Sequence, residues 1–408
     1  MPRIVMVNTV ATGSHGRIMG DMGRAAEQAG FDVTVAFGRG GGNEKAIRIG
    51  NTRDVLFHVA LTRLLDRHGR GSRRATQALV ETLRRMKPDM LHLHNLHGYY
   101  LHIETLFAYI RESGVPTLWT LHDCWALTGH CSHFVRASCD RWQTGCYRCP
   151  LKGEYPASLF CDASRSNWHW KGAAFSGLDN LTLVAPSLWL GEVIGQSYLQ
   201  DVPCRVIPNG VDLSLFRPAE GDGLAVRERM GVKPGQAMLL AVAAPFDGRK
   251  GYADALALAE KLGDRARLVL VGLSKKQRSC LPEGITGILR TDGPEALVAL
   301  YGAADCLINP TYEDTYPTVN MEALACGTPV AAYATGGCIE QLVEPVGIAV
   351  PCGDVGALAE AAMSLAARRK GLTEACRTYA EAHFDRENAM NTYVAEYRQM
   401  TGGNAWCE

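Results

Sequence analysis

Two adjacent carboxylates, Glu313 and Asp314, stand between the apolar run Cys306-Leu307-Ile308 and the segment Pro317–Ala325. The run has the length and character of a buried strand. Pro317 suits the first turn of a helix, where a missing N–H costs nothing. Met321, Leu324 and Ala325 give that helix an apolar stripe, Gly327 ends it, and Pro329–Tyr333 starts the next strand. Acids at such a junction lie on the carboxyl edge of a predicted parallel sheet, where open α/β folds bind ligands. The free N–H groups of the helix would attract an anion such as phosphate. The same acids would serve equally as helix caps. A second junction carries cations. Arg249 and Lys250 sit in the loop Pro245–Gly251, between the apolar strand Ala237–Ala244 and the helix Tyr252–Leu262. Two cations and a helix N-terminus at one crevice suit a diphosphate, although a solvated pair needs no ligand.

A third group is made of histidines. His94 and His97 follow the strand Met90–His94, and His122 follows the strand Pro116–Leu121. Histidines at successive strand ends favour a site over isolated structural roles. The elements that must carry these groups alternate between strand and helix, which predicts parallel sheets with helices on both faces. Arg3–Asn8 is a buried strand, Thr12-Gly13-Ser14-His15-Gly16-Arg17 a small-residue loop, and Ile18–Ala29 a helix ended by Gly30. That opening is Rossmann-like but lacks the full G-x-G-x-x-G fingerprint. Helices are expected over Asp54–Asp66, Arg73–Met86 and Ile103–Glu112, and Ser187 is the expected N-cap of the helix after the strand at Leu181. In the second half, Arg267–Gly272 is a strand. Gly353-Asp354 opens a helix to Ala366, and Thr373–Ala382 and Arg386–Met400 are two more. The turn-rich Pro208–Pro218 suits a connection between domains.

The 408 residues carry 42 basic and 42 acidic side chains, so no polyanion-binding role is suggested. Met1–Asn8 reads as a strand rather than a signal peptide, and no apolar run approaches bilayer length. A cytoplasmic location is expected, and the 14 cysteines are then thiols or metal ligands more naturally than disulfides. Basic residues concentrate between Arg63 and Lys87, which reads as a solvated helix face or as a contact with the inner face of an anionic membrane. Asp123–Leu178 breaks the alternation. Cys131, Cys139, Cys146 and Cys149 fall within one short loop there, ending in a Cys-x2-Cys pair. Structural zinc, uncoordinated thiols and disulfides are all open for them.

The motifs together resemble glycosyltransferase family 4, retaining enzymes of GT-B fold. Ile207-Pro208-Asn209-Gly210-Val211-Asp212, Arg249-Lys250-Gly251, the run from Glu322 through Cys326-Gly327-Thr328-Pro329-Val330, Thr120-Leu121-His122-Asp123 and the N-terminal glycine loop carry the resemblance. The His94–Tyr100 loop and the cysteine-rich insertion are similar to those of bacterial exopolysaccharide and colanic-acid-type transferases. The resemblance implies an α/β chain with two Rossmann-like domains whose parallel sheets face across a central cleft. The acceptor-side domain would span 1–205, with its insertion at 123–178. The nucleotide-sugar domain would span 206–385, and helix 386–400 would pack back on the first. It implies a nucleotide-diphosphate sugar donor, a glycan or lipid-linked acceptor and no cofactor for catalysis. Glu322 would bind the donor ribose, Lys250 the diphosphate, and the amides of Thr318, Val319 and Asn320 phosphate. His122 would hold the donor sugar, and Gly13, Gly16 and Arg17 would lie close to the donor. The family's Glu-x7-Glu pair is altered here: Asp314 stands eight residues before Glu322 and Glu313 nine. Glu313 is favoured for the sugar contact. Ala244 and Pro245 stand where the family carries a further arginine, with Arg249 expected to substitute. The alternative is a non-catalytic nucleotide- or glycan-binding protein on the same scaffold.

Overall fold

A computed structural model describes residues 1–11, 13–41, 45–219, 221 and 223–402, the side chains of 13–15 excepted. The chain forms two compact units, 1–207 with 389–408 and 208–388. The expected loop residue Thr12 lies outside the described residues.

In chain order the first unit contains β1 (Arg3–Val10), α1 (Gly13–Gln28), β2 (Asp32–Arg39), β3 (Ile47–Arg48), α2 (Thr52–Leu65), α3 (Arg73–Met86), β4 (Met90–Leu93), α4 (Ile103–Ser113), β5 (Thr117–Thr120), α5 (Ser164–Phe175), β6 (Leu181–Ala185), α6 (Leu188–Gly195) and β7 (Cys204–Val206). Its seven strands are parallel, in the order β3-β2-β1-β4-β5-β6-β7. Strands buried on both faces need continuous apolar sequence, and Ile4, Val5, Met6 and Val7 in β1 are fully covered. Helix starts follow their caps: Asn51 and Asp54 close a capping box, and the Ser187 side chain accepts from the Leu190 N–H, as the sequence predicts.

The second unit contains α7 (Leu224–Arg229), β8 (Ala237–Val242), α8 (Tyr252–Leu262), β9 (Ala266–Val271), α9 (Lys275–Ser279), β10 (Ile285–Ile288), α10 (Pro294–Ala303), β11 (Cys306–Asn309), α11 (Thr318–Ala325), β12 (Val330–Tyr333), β13 (Gly347–Val350) and α12 (Val355–His383). Its parallel sheet runs β10-β9-β8-β11-β12-β13. The last helix, α13 (Arg386–Met400), begins in the second unit and ends in the first. In each sheet the strand order reverses beside the first strand, between β1 and β4 and between β8 and β11. Those reversal points are where α/β sheets open a crevice at their carboxyl ends.

Three expectations are corrected. The segment expected as a loop up to Arg17 is helical from Gly13. Gly16 is needed there because an added Cβ would lie 2.6 Å from the Ala11 carbonyl carbon. Packing of α1 against the end of β1 therefore accounts for this glycine without a ligand. The two helices expected over 353–366 and 373–382 are one 29-residue helix. The Arg368–Gly371 stretch does not break it, because Leu372 and Cys376 are buried and Arg369 reaches the Ala304 carbonyl at 3.1 Å and the Thr328 hydroxyl at 3.2 Å. Pro317 is the N-cap of α11 rather than its first-turn residue.

Buried neutral histidines lend the first unit acid sensitivity. His58 Nε2 accepts the Gly69 and Gly71 N–H groups at 3.0 and 3.3 Å, which leaves Nδ1 to donate to Ser72. Burial pushes His58 down to about 3, and His92 likewise, from an ordinary 6.5. His68 and His102 shift the same way. His130 opposes them: burial would lower it, but the hydrogen bond and the charge of Asp66, with Cys149 nearby, together raise it. Below pH 6.5 the unfolded chain takes up protons that native His58 and His92 refuse, so stability is present above that pH and lost as pH falls. Each histidine can contribute at most about 1.4 kcal/mol per pH unit. The melting temperature is expected to fall between pH 7 and pH 5, and a flat profile would refute this assignment.

Candidate functional site

The second unit's site grows from two loops at its reversal point. After β8 the chain turns through Asp247, whose carboxylate accepts the Lys250 N–H at 3.0 Å. Gly251 follows at φ +74, where a Cβ would lie 2.0 Å from the Pro310 carbonyl oxygen. Only glycine lets this loop press so closely on the segment leaving β11. The contact is fastened by Tyr312 N–H to the Arg249 carbonyl at 2.9 Å and by Arg249 Nη1 to the Glu313 carbonyl at 3.2 Å. The result is an ion pair between Lys250 Nζ and Asp314 Oδ2, both partly shielded from solvent. The other Asp314 oxygen accepts the Tyr316 N–H at 3.3 Å. Glu313 is nearly fully buried.

The N-terminus of α11 is held by a row of buried amides. Asn309 donates to Asn320, Asn320 to Gln341, and Gln341 to the Pro317 carbonyl, at 2.9, 3.0 and 3.1 Å. The Asn320 side chain is thus committed within the protein, and what it can offer a ligand is its backbone N–H. Thr318 and Val319, the first two residues of the helix, are half-buried. One turn on, Glu322 is half-buried and accepts the Tyr301 hydroxyl at 2.8 Å. Tyr301 itself is fully buried. The arrangement offers one cation, two carboxylates and a helix N-terminus at one sheet edge. It can hold a phosphate group and accept hydrogen bonds from hydroxyls. Arg249, expected as a replacement phosphate ligand, also braces the acidic loop through its Nη1. Neither the Tyr301 contact nor the amide row left a sequence signal, because both join residues far apart in the chain.

The first unit gathers its histidines at the ends of β4 and β5. His94 Nδ1 lies 3.1 Å from His122 Nε2, and the two rings stack at 15°. Behind them His92 bonds Tyr397 Oη at 2.8 Å and Thr120 Oγ1 at 2.9 Å. His97 bonds Asp123 at 2.7 Å and Tyr155 at 2.9 Å, which draws the cysteine-rich segment onto the sheet edge. Burial alone would raise the Asp123 carboxyl, but His97, His133 and the Trp125 N–H together hold it well below the usual carboxylate range. Gly13 opens α1, Gly16 is buried and Arg17 is exposed.

No disulfide joins any described cysteine. Cys131, Cys139, Cys146 and Cys149 line one small cavity together with His130. The Cys131 thiol is hydrogen-bonded to Cys149, and Cys146 accepts the Gly129 N–H at 3.2 Å. Among the described residues no three His, Cys, Asp or Glu side chains form a group that could hold a metal ion. Lys171 is buried beside this cavity, over the Trp125 ring, and donates to the Trp125 and Thr128 carbonyls at 2.7 and 3.0 Å.

Two family models match. "Glycosyltransferase Family 4" covers residues 15–215, and "Glycosyl transferases group 1" covers residues 227–383. The chain is 27% identical over 350 residues to WcaC of Escherichia coli (strain K12), provisionally named a colanic acid biosynthesis glycosyl transferase. That match covers 82% of this chain and 83% of WcaC. It is 34% identical over 211 residues to the D-inositol 3-phosphate glycosyltransferase of Geodermatophilus obscurus, covering 47% and 46% of the two chains. Among solved structures, sucrose-phosphate synthase from Thermosynechococcus elongatus superposes with a TM-score of 0.73 at 20% identity, over 99% and 100% of the chains. Anabaena HepE in complex with UDP-glucose gives 0.68 at 13% identity, over 97% and 99%. With a glycosyltransferase model matched by each of its two Rossmann-like units, the chain belongs to the family 4 glycosyltransferases of GT-B fold.

Proposed function

We propose that this protein is a retaining transferase that moves a sugar from a nucleotide-diphosphate sugar to a glycan or lipid-linked acceptor, in the synthesis of a bacterial surface polysaccharide. The observation that carries the reading is the joining of Lys250, Asp314 and the α11 N-terminus at one sheet edge, with Glu322 one helical turn away. The relationship to WcaC supports the polysaccharide setting, and the likeness to a UDP-glucose complex supports the donor class.

In this scheme the diphosphate draws Lys250 away from Asp314, and the lysine with the α11 amides takes up charge as the sugar–phosphate bond breaks. The acceptor hydroxyl attacks on the face the diphosphate leaves and gives its proton to the departing phosphate oxygen, so the anomeric configuration is kept. Glu313 or the released Asp314 contacts the sugar near its reacting carbon, and Glu322 the ribose. His122, with His94 behind it, is assigned a hydrogen bond to the donor sugar. A thermal-shift screen of UDP, GDP, ADP and their sugars, followed by transfer assays with the donors that stabilise the protein, tests the proposal. Nucleotide binding with no turnover of any donor would support the non-catalytic reading instead.

A structural zinc on Cys131, Cys139, Cys146 and Cys149 belongs to the same proposal. It requires the four sulfurs to draw in from the cavity wall. One equivalent of zinc is expected in protein purified without chelator, and metal-free protein with an unchanged melting temperature would dismiss it.

A further inference from the structure

We propose that the outer face of α2, together with the tip of the cysteine-rich segment, is a docking surface for an anionic lipid bilayer. Arg53, Leu56, Phe57, Ala60, Arg63 and Leu64 recur at helical spacing, and all are exposed. The core takes the other side of this helix through His58 and Thr62. Leu56 and Phe57 are 63% and 66% exposed. A water-facing helix side normally carries polar residues, and a contiguous apolar patch marks an interaction site. The patch extends beyond the helix. The Leu159 N–H donates to the Arg63 carbonyl at 2.8 Å, which sets Leu159 and the 71% exposed Phe160 beside the end of α2. Lys152 braces that tip through the Phe160 carbonyl at 3.3 Å.

Charge selects the occupant. Arg53, Arg63, Arg67 and Lys152 accompany the apolar side chains, whereas the acids nearby are each engaged by the protein's own hydrogen-bond donors or cations. Asp54 caps the helix through the Asn51 N–H, Asp66 is buried against His130, Asp162 accepts the Cys149 and Ser164 N–H groups, and Glu154 pairs with Arg136. Apolar tips ringed by arginine and lysine suit a helix lying in the headgroup layer. Among the described residues no helix is long and apolar enough to cross a membrane. The surface shares only Arg63, Leu64 and Arg67 with the basic stretch Arg63–Lys87 that the sequence suggested. Arg70 rests on Trp170 and reaches Glu104, and Arg84 is divided between Glu81 and Glu112. Arg70 and Arg84 are therefore committed to the protein's own groups, and apart from Leu64 the apolar residues of the surface lie before the stretch and in a distant loop.

Sedimentation of the full chain with vesicles of phosphatidylcholine, with and without phosphatidylglycerol, tests the proposal. Binding is expected to the anionic vesicles and to weaken with salt. A Phe57→Ser/Leu64→Ser/Phe160→Ser variant should bind about tenfold more weakly or worse, and Arg63→Glu/Arg67→Glu should abolish the preference for anionic lipid. Nucleotide-induced stabilisation retained in both variants verifies their fold. Wild-type protein that leaves both vesicles in solution, or variants that bind as well as wild type, would overturn the inference. So would a dimer that the same substitutions dissociate, because a second copy would then cover the face. Vesicle binding needs no turnover, so failure here leaves the transferase reading standing.

Discussion

Lys250→Met is expected to lower kcat for sugar transfer by roughly 100- to 1,000-fold, the usual loss when one preorganised charge is withdrawn from a developing anion. The lysine is placed for this by backbone rather than by its own flexibility. Gly251 presses on Pro310, Asp247 holds the Lys250 N–H, and Tyr312 is tied to the Arg249 carbonyl, so the side chain leaves a fixed loop. Without donor its charge is balanced by Asp314. A diphosphate carries more negative charge than one carboxylate and offers several oxygens, so it outcompetes Asp314 for the ammonium. Methionine keeps the apolar stem and removes the charge, so the loop should persist and the melting temperature should change little. It would leave Asp314 without its cation, which makes Asp314→Asn the informative partner. That variant frees the lysine and should leave nucleotide affinity unchanged or raised. If Asp314 also contacts the sugar, kcat will fall while affinity holds. Wild-type kcat in Lys250→Met would remove the lysine from the mechanism.

The sequence made the two loops legible one at a time, but not their junction. Strand ends at Ile308 and in Ala237–Ala244, with charged residues immediately after each, mark ligand edges because strand and helix periods are local. The ion pair joins residues 64 apart in the chain, and no local pattern reports it. The same distinction runs through the fold. The sequence bounds helices α3, α8 and α13 correctly. The short strands β10 and β13 carry no clear sequence signal. They are the outer strands of their sheet, only four residues long, and β10 contains Gly287. The sequence divides helix α12 in two because Arg368–Gly371 looks like a terminus, whereas Arg369 finds its partners on other elements. The histidines were visible as strand-end residues. Their stacking was not, because it depends on parallel pairing of β4 with β5, which places His94 and His122 side by side.

Glu322→Gln is expected to raise the KM for the donor roughly 10- to 100-fold with a smaller change in kcat. A carboxylate accepting hydrogen bonds from two hydroxyls contributes about 1.5–3 kcal/mol per charged bond, and each 1.4 kcal/mol is about tenfold in binding. Such contacts lie far from the reacting carbon and act equally on ground and transition states, so their loss falls on KM. The side chain is held for the role. Tyr301, buried under α11, donates to Glu322 Oε2 at 2.8 Å and so orients the carboxylate. Glutamine keeps the length but replaces one acceptor oxygen by a donor, so it cannot accept from both hydroxyls of a ribose. Calorimetry with a nucleoside diphosphate and its 3′-deoxy analogue separates this from a general loss of fit. Wild type should lose affinity for the deoxy compound, and Glu322→Gln should bind both about equally, because the partner of the missing hydroxyl is already gone. Tyr301→Phe should cost less, about 1 kcal/mol, since it loosens the carboxylate without removing it. A Glu322→Gln protein that still discriminates against the deoxy nucleotide as wild type does would move the ribose contact to another residue.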